Sequence, residues 1–170
     1  MGLKDKIQQE INSAVKEKRE LEVLVLRQLS AAVLNKEKEK RFKIGKEKPE
    51  LIGEKLEKES QLADEEFIGV ISSEAKKRKE AIEGFEKGGR QESAEKEKKE
   101  LEILQKYLPE QLSEEELRGL VQEAIDKVNA KEIKDMGKIM AELMPKVKGR
   151  ADGGIISKIV NNILYPRGTR

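Results

Sequence analysis

Leu3, Ile7, Ile11, Ala14 and Val15 recur three or four residues apart, the spacing of one face of a helix. From Leu21 to Leu34 apolar positions crowd together, with Val25, Leu26, Leu29 and Val33 among them. A helix apolar on most sides belongs at the centre of a bundle. Residues 36–48 carry seven cations and three glutamates, and are expected to extend that helix until Gly45 and Pro49 break it. The acidic stretch 49–62 predicts an elongated connection with one or two helical turns. Asp64 is expected to cap the next helix, with Glu65 and Glu66 in its first turn. That helix offers Phe67, Ile68, Val70, Ile71, Ala75, Ile82 and Phe85 to a core. Gly88-Gly89 ends it, since glycine takes the left-handed cap without steric cost. A fourth helix follows on Ala94, Leu101, Leu104 and Leu108.

The clearest boundary is Tyr107-Leu108-Pro109-Glu110-Gln111-Leu112, because a proline disfavours helix in the residue before it. Ser113 then opens Ser-Glu-Glu-Glu, a capping box with Glu116 at the third helical position. Leu117, Leu120, Val121, Ala124, Ile125 and Val128 form the next apolar face. Met136, Ile139, Met140, Leu143 and Met144 form a shorter one, stopped at Pro145. Asp152 caps a last helix carrying Ile155, Ile156, Ile159, Val160, Ile163 and Leu164, and Pro166 stops it. The expectation is an all-α protein: a four-helix bundle-like domain over residues 1–108 and a small three-helix domain over residues 109–170.

Composition sharpens this picture. Charged residues make up 41% of the 170 residues and only five are aromatic, which suits helices with wide solvated faces rather than a sheet core. Cysteine, histidine and tryptophan are absent, which removes disulfides, thiolate ligands and the commonest acid–base and nucleophilic groups. The serines sit in no elbow or triad pattern, and Lys138 lacks the upstream glycines of a phosphate-cradling loop. Carboxylates alone can hold Mg²⁺, but no spacing here singles out a metal set, so no catalytic residue, metal or cofactor is expected. No run of about 18 apolar residues exists to span a membrane. The start, Met1-Gly2-Leu3-Lys4-Asp5, lacks the apolar core of a signal peptide, which points to the cytoplasm.

Net charge is only +2, so any polyanion site must come from local clustering. From Lys138 to Arg170 there are seven cations against two acids. Lys138, Lys146, Lys148 and Arg150 fall within thirteen residues, and Pro145 and Gly149 restrict the loop assigned to the last three. Arginine grips a phosphate with two parallel hydrogen bonds, while lysines act as mobile point charges. The same cations also suit a solvated corner that complements the negative end of a helix. Asp152 would occupy the amides at the start of the last helix, leaving them a poor phosphate site. Two other basic runs, Lys76-Lys77-Arg78-Lys79 and residues 36–48, read as solvated faces: the first points in four directions on a helix, and the second is diluted by Glu37, Glu39 and Glu47. Phe42 is the one aromatic in a basic stretch, too little for stacking single-stranded bases. RNA contact would therefore be to phosphate, sugar and shape, as a folded RNA offers.

Three groups of residues carry a resemblance: Ala81-Ile82 with Phe85, Gly88 and Arg90; Leu104 with Tyr107-Leu108-Pro109; and Met136-Gly137-Lys138 through Gly153. They resemble the YqeY family and the related tail domain of the B subunit of the tRNA-dependent amidotransferase (GatB). The resemblance implies a helical N-terminal bundle, a three-helix C-terminal part and contact with tRNA. It also implies an association with carbon–nitrogen ligases that use glutamine as amide donor, whose chemistry lies in other domains and subunits. The partners it implies are tRNA and components of the amidotransferase or of aminoacyl-tRNA synthetases. On this reading Lys138, Lys146, Lys148, Arg150 and Lys158 contact RNA. Gly137 permits close helix packing, Gly149 shapes the loop and Asp152 caps. Two departures stand out: a longer acidic connection before Leu62, and Ala63 where the family commonly has Ser or Thr. Two alternatives remain beside an RNA-binding accessory protein. One is a helical adaptor presenting Tyr107, Leu112 and the edge of the C-terminal helices. The other is a component of the ligase.

Overall fold

A computed structural model of the chain describes residues 2–166. Among them there is no strand. The helices are α1 (Leu3–Lys16), α2 (Glu20–Glu47), α3 (Gly53–Ser60), α4 (Asp64–Lys87), α5 (Gln91–Gln105), α6 (Glu114–Val128), α7 (Met136–Val147) and α8 (Gly153–Leu164), with a 3₁₀ turn at Ile133–Asp135 before α7. The chain divides into two compact units, one up to Tyr107 and the other from Leu108. No described helix is long and apolar enough to cross a membrane.

In the first unit α4 and α5 pair most extensively, while α1, α4 and α5 all pack on α2. The apolar crowding of α2 has its reason there: Val25, Leu26, Leu29 and Val33 are buried, as are Ile7, Phe67, Ile71 and Leu104 of the helices that pack on it. Fully burying each such side chain contributes about 1.5–3 kcal/mol. The α1–α2 corner turns at Lys18, whose φ of 56° is left-handed, and the amide of Arg19 closes it on the carbonyl of Ala14 at 2.8 Å. Arg19 bonds the carboxylates of Glu10, Glu22 and Glu17. The hydrogen bonds to Glu10 and then Glu22 hold its guanidinium above the usual arginine range. The α4–α5 corner is a glycine cap as expected: Gly89 takes φ 70°, and the amide of Arg90 reaches the carbonyl of Phe85 at 2.9 Å.

Several expectations are corrected. α2 runs through Gly45 to Glu47. One interior glycine costs only about 1 kcal/mol, and Leu56 of α3 packs beside it, 3.8 Å from where a Cβ would stand. Asp64 is the first residue of α4 rather than its cap. Its carboxylate accepts from the amide of Leu3 at 2.9 Å, which ties α1 to α4. Ala63 holds the cap position without a side-chain bond, and Glu66 takes its amide at 2.9 Å. Along α5 the buried apolar residue missed in the pattern is Ile103, and Leu108 lies beyond the helix end. The run at Lys76–Lys79 is not wholly solvated. Arg78 turns inward to Glu100 at 3.0 Å and Glu97 at 3.5 Å, and donates to Gln28 of α2. Tyr107 is half-buried, and burial, then the charges of Glu10 and Glu22, push its phenol up to about 12.

The second unit closes α6, α7 and α8 around Val121, Ile139, Leu143, Val147, Ile156 and Val160. Ser113 caps α6 as its spacing predicts, accepting from the amide of Glu116 at 3.2 Å, while Glu116 accepts from the amide of Ser113 at 2.9 Å. Asn129, at φ 50°, ends that helix in the left-handed conformation. α7 continues through Pro145 to Val147. Pro145, two residues before the end, forfeits one backbone bond, and the helix still closes with the amide of Lys148 on the carbonyl of Met144 at 3.1 Å.

Candidate nucleic-acid interface

The cationic corner is built at the C-terminal end of α7. Val147, Lys148, Gly149 and Arg150 form a type II turn, closed by the amide of Arg150 on the carbonyl of Val147 at 2.9 Å. Lys148 has φ −57° and ψ 121°, and Gly149 has φ 74°. That third position of a type II turn demands φ above zero, hence the glycine. The turn is laced to the segment before α6. The amide of Leu112 donates to the carbonyl of Arg150 at 2.9 Å, Nε of Arg150 donates to the carbonyl of Glu110 at 3.0 Å, and Nε2 of Gln111 donates to the carbonyl of Gly149 at 2.7 Å. A corner held by three such bonds loses little entropy when it binds. The boundary at these residues is legible in the sequence; the lacing role of Glu110 and Gln111 is not. A Pro-Glu-Gln-Leu run carries no local signal of a partner forty residues away.

The five assigned cations are not equivalent. Lys148 and Lys158 are exposed, and neither has a carboxylate partner among the described residues; Arg150 is half-buried, and its charge is one of the causes that lower the Glu116 carboxyl. Lys146 is on the last turn of α7 rather than in the loop, and reaches Glu123 of α6 at 3.7 Å. Both of those side chains are well exposed, and such pairs contribute about 1 kcal/mol or less, so Lys146 is readily recruited by a stronger anion. Lys138 is different. It stands in the first turn of α7, about 12 Å along the axis from Lys146, and pairs with Asp135 at 3.1 Å. Asp135 also accepts from the amides of Lys131 and Glu132, and those bonds with Lys138 hold its carboxyl below the usual range. The structure thus brings Lys146, Lys148 and Arg150 together, sets Lys138 at the opposite end of the helix, and puts Lys158 on the exposed side of α8. Arg167 and Arg170, counted among the C-terminal cations, lie outside the described residues.

The three motif residues also separate. Gly149 is required by its backbone. Asp152 caps α8, accepting from the amides of Gly154 at 2.7 Å and Ile155 at 3.3 Å, so that helix start is already occupied. Gly137 does not serve close packing: it is exposed, and a Cβ there would meet nothing within 4 Å. The shifted carboxyls of this unit, Glu116, Asp135 and Glu142, all sit below their ordinary values because they accept hydrogen bonds, Glu142 from Lys127 at 2.6 Å. They are ionised structural acceptors and not groups poised to exchange protons.

A family model described as Yqey-like protein matches residues 48–164, well over half of the chain. The chain belongs to the YqeY family. The matched span opens at the end of α2 and closes with α8, so it contains the whole of the laced corner, the Ser113 cap and the α4–α5 glycine corner. A search of the curated proteins found no match.

Proposed function

We propose that this YqeY-family protein is an accessory protein that binds folded tRNA through its C-terminal three-helix unit. The observation that carries the reading is the type II turn that presents Lys148, which has no carboxylate partner among the described residues, on a corner braced by Arg150, whose charge Glu116 answers only at longer range, with Lys146 beside them. Lys158 supplies a further contact from α8, and Lys138 a weaker one because Asp135 already answers it. With no aromatic platform in this unit beyond Tyr165, recognition is of phosphates and overall shape. Residues 1–108 then act as a helical bundle and residues 109–170 as the part resembling the amidotransferase tail. The physiological setting is that of the tRNA-dependent amidotransferase or an aminoacyl-tRNA synthetase, with ligase chemistry supplied by those partners.

A fluorescence titration of folded tRNA at low salt tests the proposal. Charge reversal of Lys146, Lys148 and Arg150 together is expected to weaken binding by about tenfold or more. Absence of binding by the wild type, or undiminished binding by the reversed variant, removes it.

A further inference from the structure

Among the described residues of the first unit, the exposed large apolar side chains are Val15, Leu24, Leu34, Phe42 and Ile52. Three of them line up along α2. Positions 24, 27, 31, 34, 38 and 42 follow one another at three- and four-residue intervals, so Leu24, Arg27, Ala31, Leu34, Lys38 and Phe42 form a single outward stripe. Leu24, Leu34 and Phe42 are 44%, 50% and 65% exposed, although α2 is the central helix of its unit. The stripe runs about 27 Å, or five turns.

Its charge is one-sided. Among the described residues no carboxylate pairs with Arg27 or Lys38, nor with Lys16, which flanks Arg27 across an open depression of about 580 Å³ floored by Ile11 and Val15. A second depression, of about 530 Å³, opens at the other end of the stripe. Lys38, Phe42 and Leu56 line it, and the ammonium of Lys46 sits 4.4 Å from the centre of the Phe42 ring. Between them a smaller cavity is lined by Leu34 and Glu37. Lys4, at 2.7 Å, already answers the Glu37 carboxylate.

We infer that this stripe is a docking surface for an acidic amphipathic helix of a protein partner. The complement of leucines punctuated by unpaired cations is a helix with apolar residues at i, i+3 and i+7 edged by Glu or Asp. A second copy of α2 does not fit, because an isologous contact sets Arg27 and Lys38 against their own kind. Nucleic acid fits poorly: a phosphate backbone buries no leucine, and the one aromatic face is covered by Lys46.

The probe is a designed peptide of five helical turns, with Leu at heptad a and d positions and Glu at e and g, titrated into the isotope-labelled full chain and followed by amide chemical shifts. Shifts are expected to concentrate from Leu24 to Lys46 and at Val15. The double variant Arg27→Glu/Lys38→Glu, whose fold is checked by its unchanged melting curve, should bind about tenfold more weakly. Leu34→Asp should weaken binding while leaving the other two depressions intact. No binding of the acidic peptide, equal binding of a version with Lys in place of every Glu, or shifts elsewhere on the chain overturns the inference. So does folded tRNA perturbing the same stripe, which would assign the surface to a nucleic acid.

Discussion

At the scale of single residues, backbone conformation separates glycines that look alike in sequence. Gly149 sits at φ 74°, so Gly149→Ala is expected to lose about 1–2 kcal/mol of stability. Gly137 is exposed in the first turn of α7 with open space around it, so Gly137→Ala should leave stability unchanged or raise it by up to about 1 kcal/mol. Lys18 is the converse case: a side chain held at φ 56°, where Lys18→Gly should gain about 1 kcal/mol. Denaturant melts of the three variants check all three signs. Ser113, Asp152 and Gly89 were legible because a cap is decided within a few residues. Asp64 was not, since its carboxylate answers the amide of Leu3, which arrives from sixty-one positions away. Ala63 shows how the same corner survives without a hydroxyl: Glu66 still takes its amide.

At the scale of elements, the apolar periodicity predicted every long helix, and the errors cluster where packing overrides a local breaker. Gly45 stays helical beside Leu56, and Pro145 sits where one missing bond is tolerated. The inward turn of Arg78 is hidden in the sequence for a related reason. Four consecutive cations on a helix look solvated, yet one of them must face the neighbouring helix, and there Glu100 is only 4% exposed. Removing a single partner leaves that carboxylate buried and unpaired, so Arg78→Met is expected to cost about 3 kcal/mol, and Arg78→Met/Glu100→Leu to recover most of it. A urea-unfolding double-mutant cycle reads the difference, and additive losses would contradict it. The C-terminal unit should also be acid-sensitive in a defined direction. Glu116, Asp135 and Glu142 are held below their ordinary values of 4.5, 3.8 and 4.5. Their stabilisation is therefore complete above those values and is lost as pH falls through the lowered ones. Ser113→Ala removes the hydroxyl bond to Glu116 but keeps the amide bond, so it should flatten only the smaller part of that loss in a pH series of unfolding midpoints.

At the scale of the whole molecule, a net charge of +2 hides a strongly uneven distribution. The clustering of cations near the C-terminus was legible in the sequence; their inequality was not. Only the fold shows Asp135 and Glu123 answering Lys138 and Lys146, and Glu116 feeling the charge of Arg150, while Lys148 stands clear on a braced turn. The cations on α2 look diluted in sequence because the glutamates among them cannot be assigned to a face without knowing which side is buried. Glu37 faces inward to Lys4, and Glu39 pairs with Lys36, leaving Lys38 alone on the outer stripe.

The central claim is that the corner after α7 neutralises phosphates, and the slope of log affinity for folded tRNA against log salt concentration tests it most directly. Four phosphate contacts predict a slope of about −3 to −4 for the wild-type chain, and Lys148→Ala/Arg150→Ala should make it shallower by about two. A slope near zero, or one that the double variant leaves unchanged, contradicts the account.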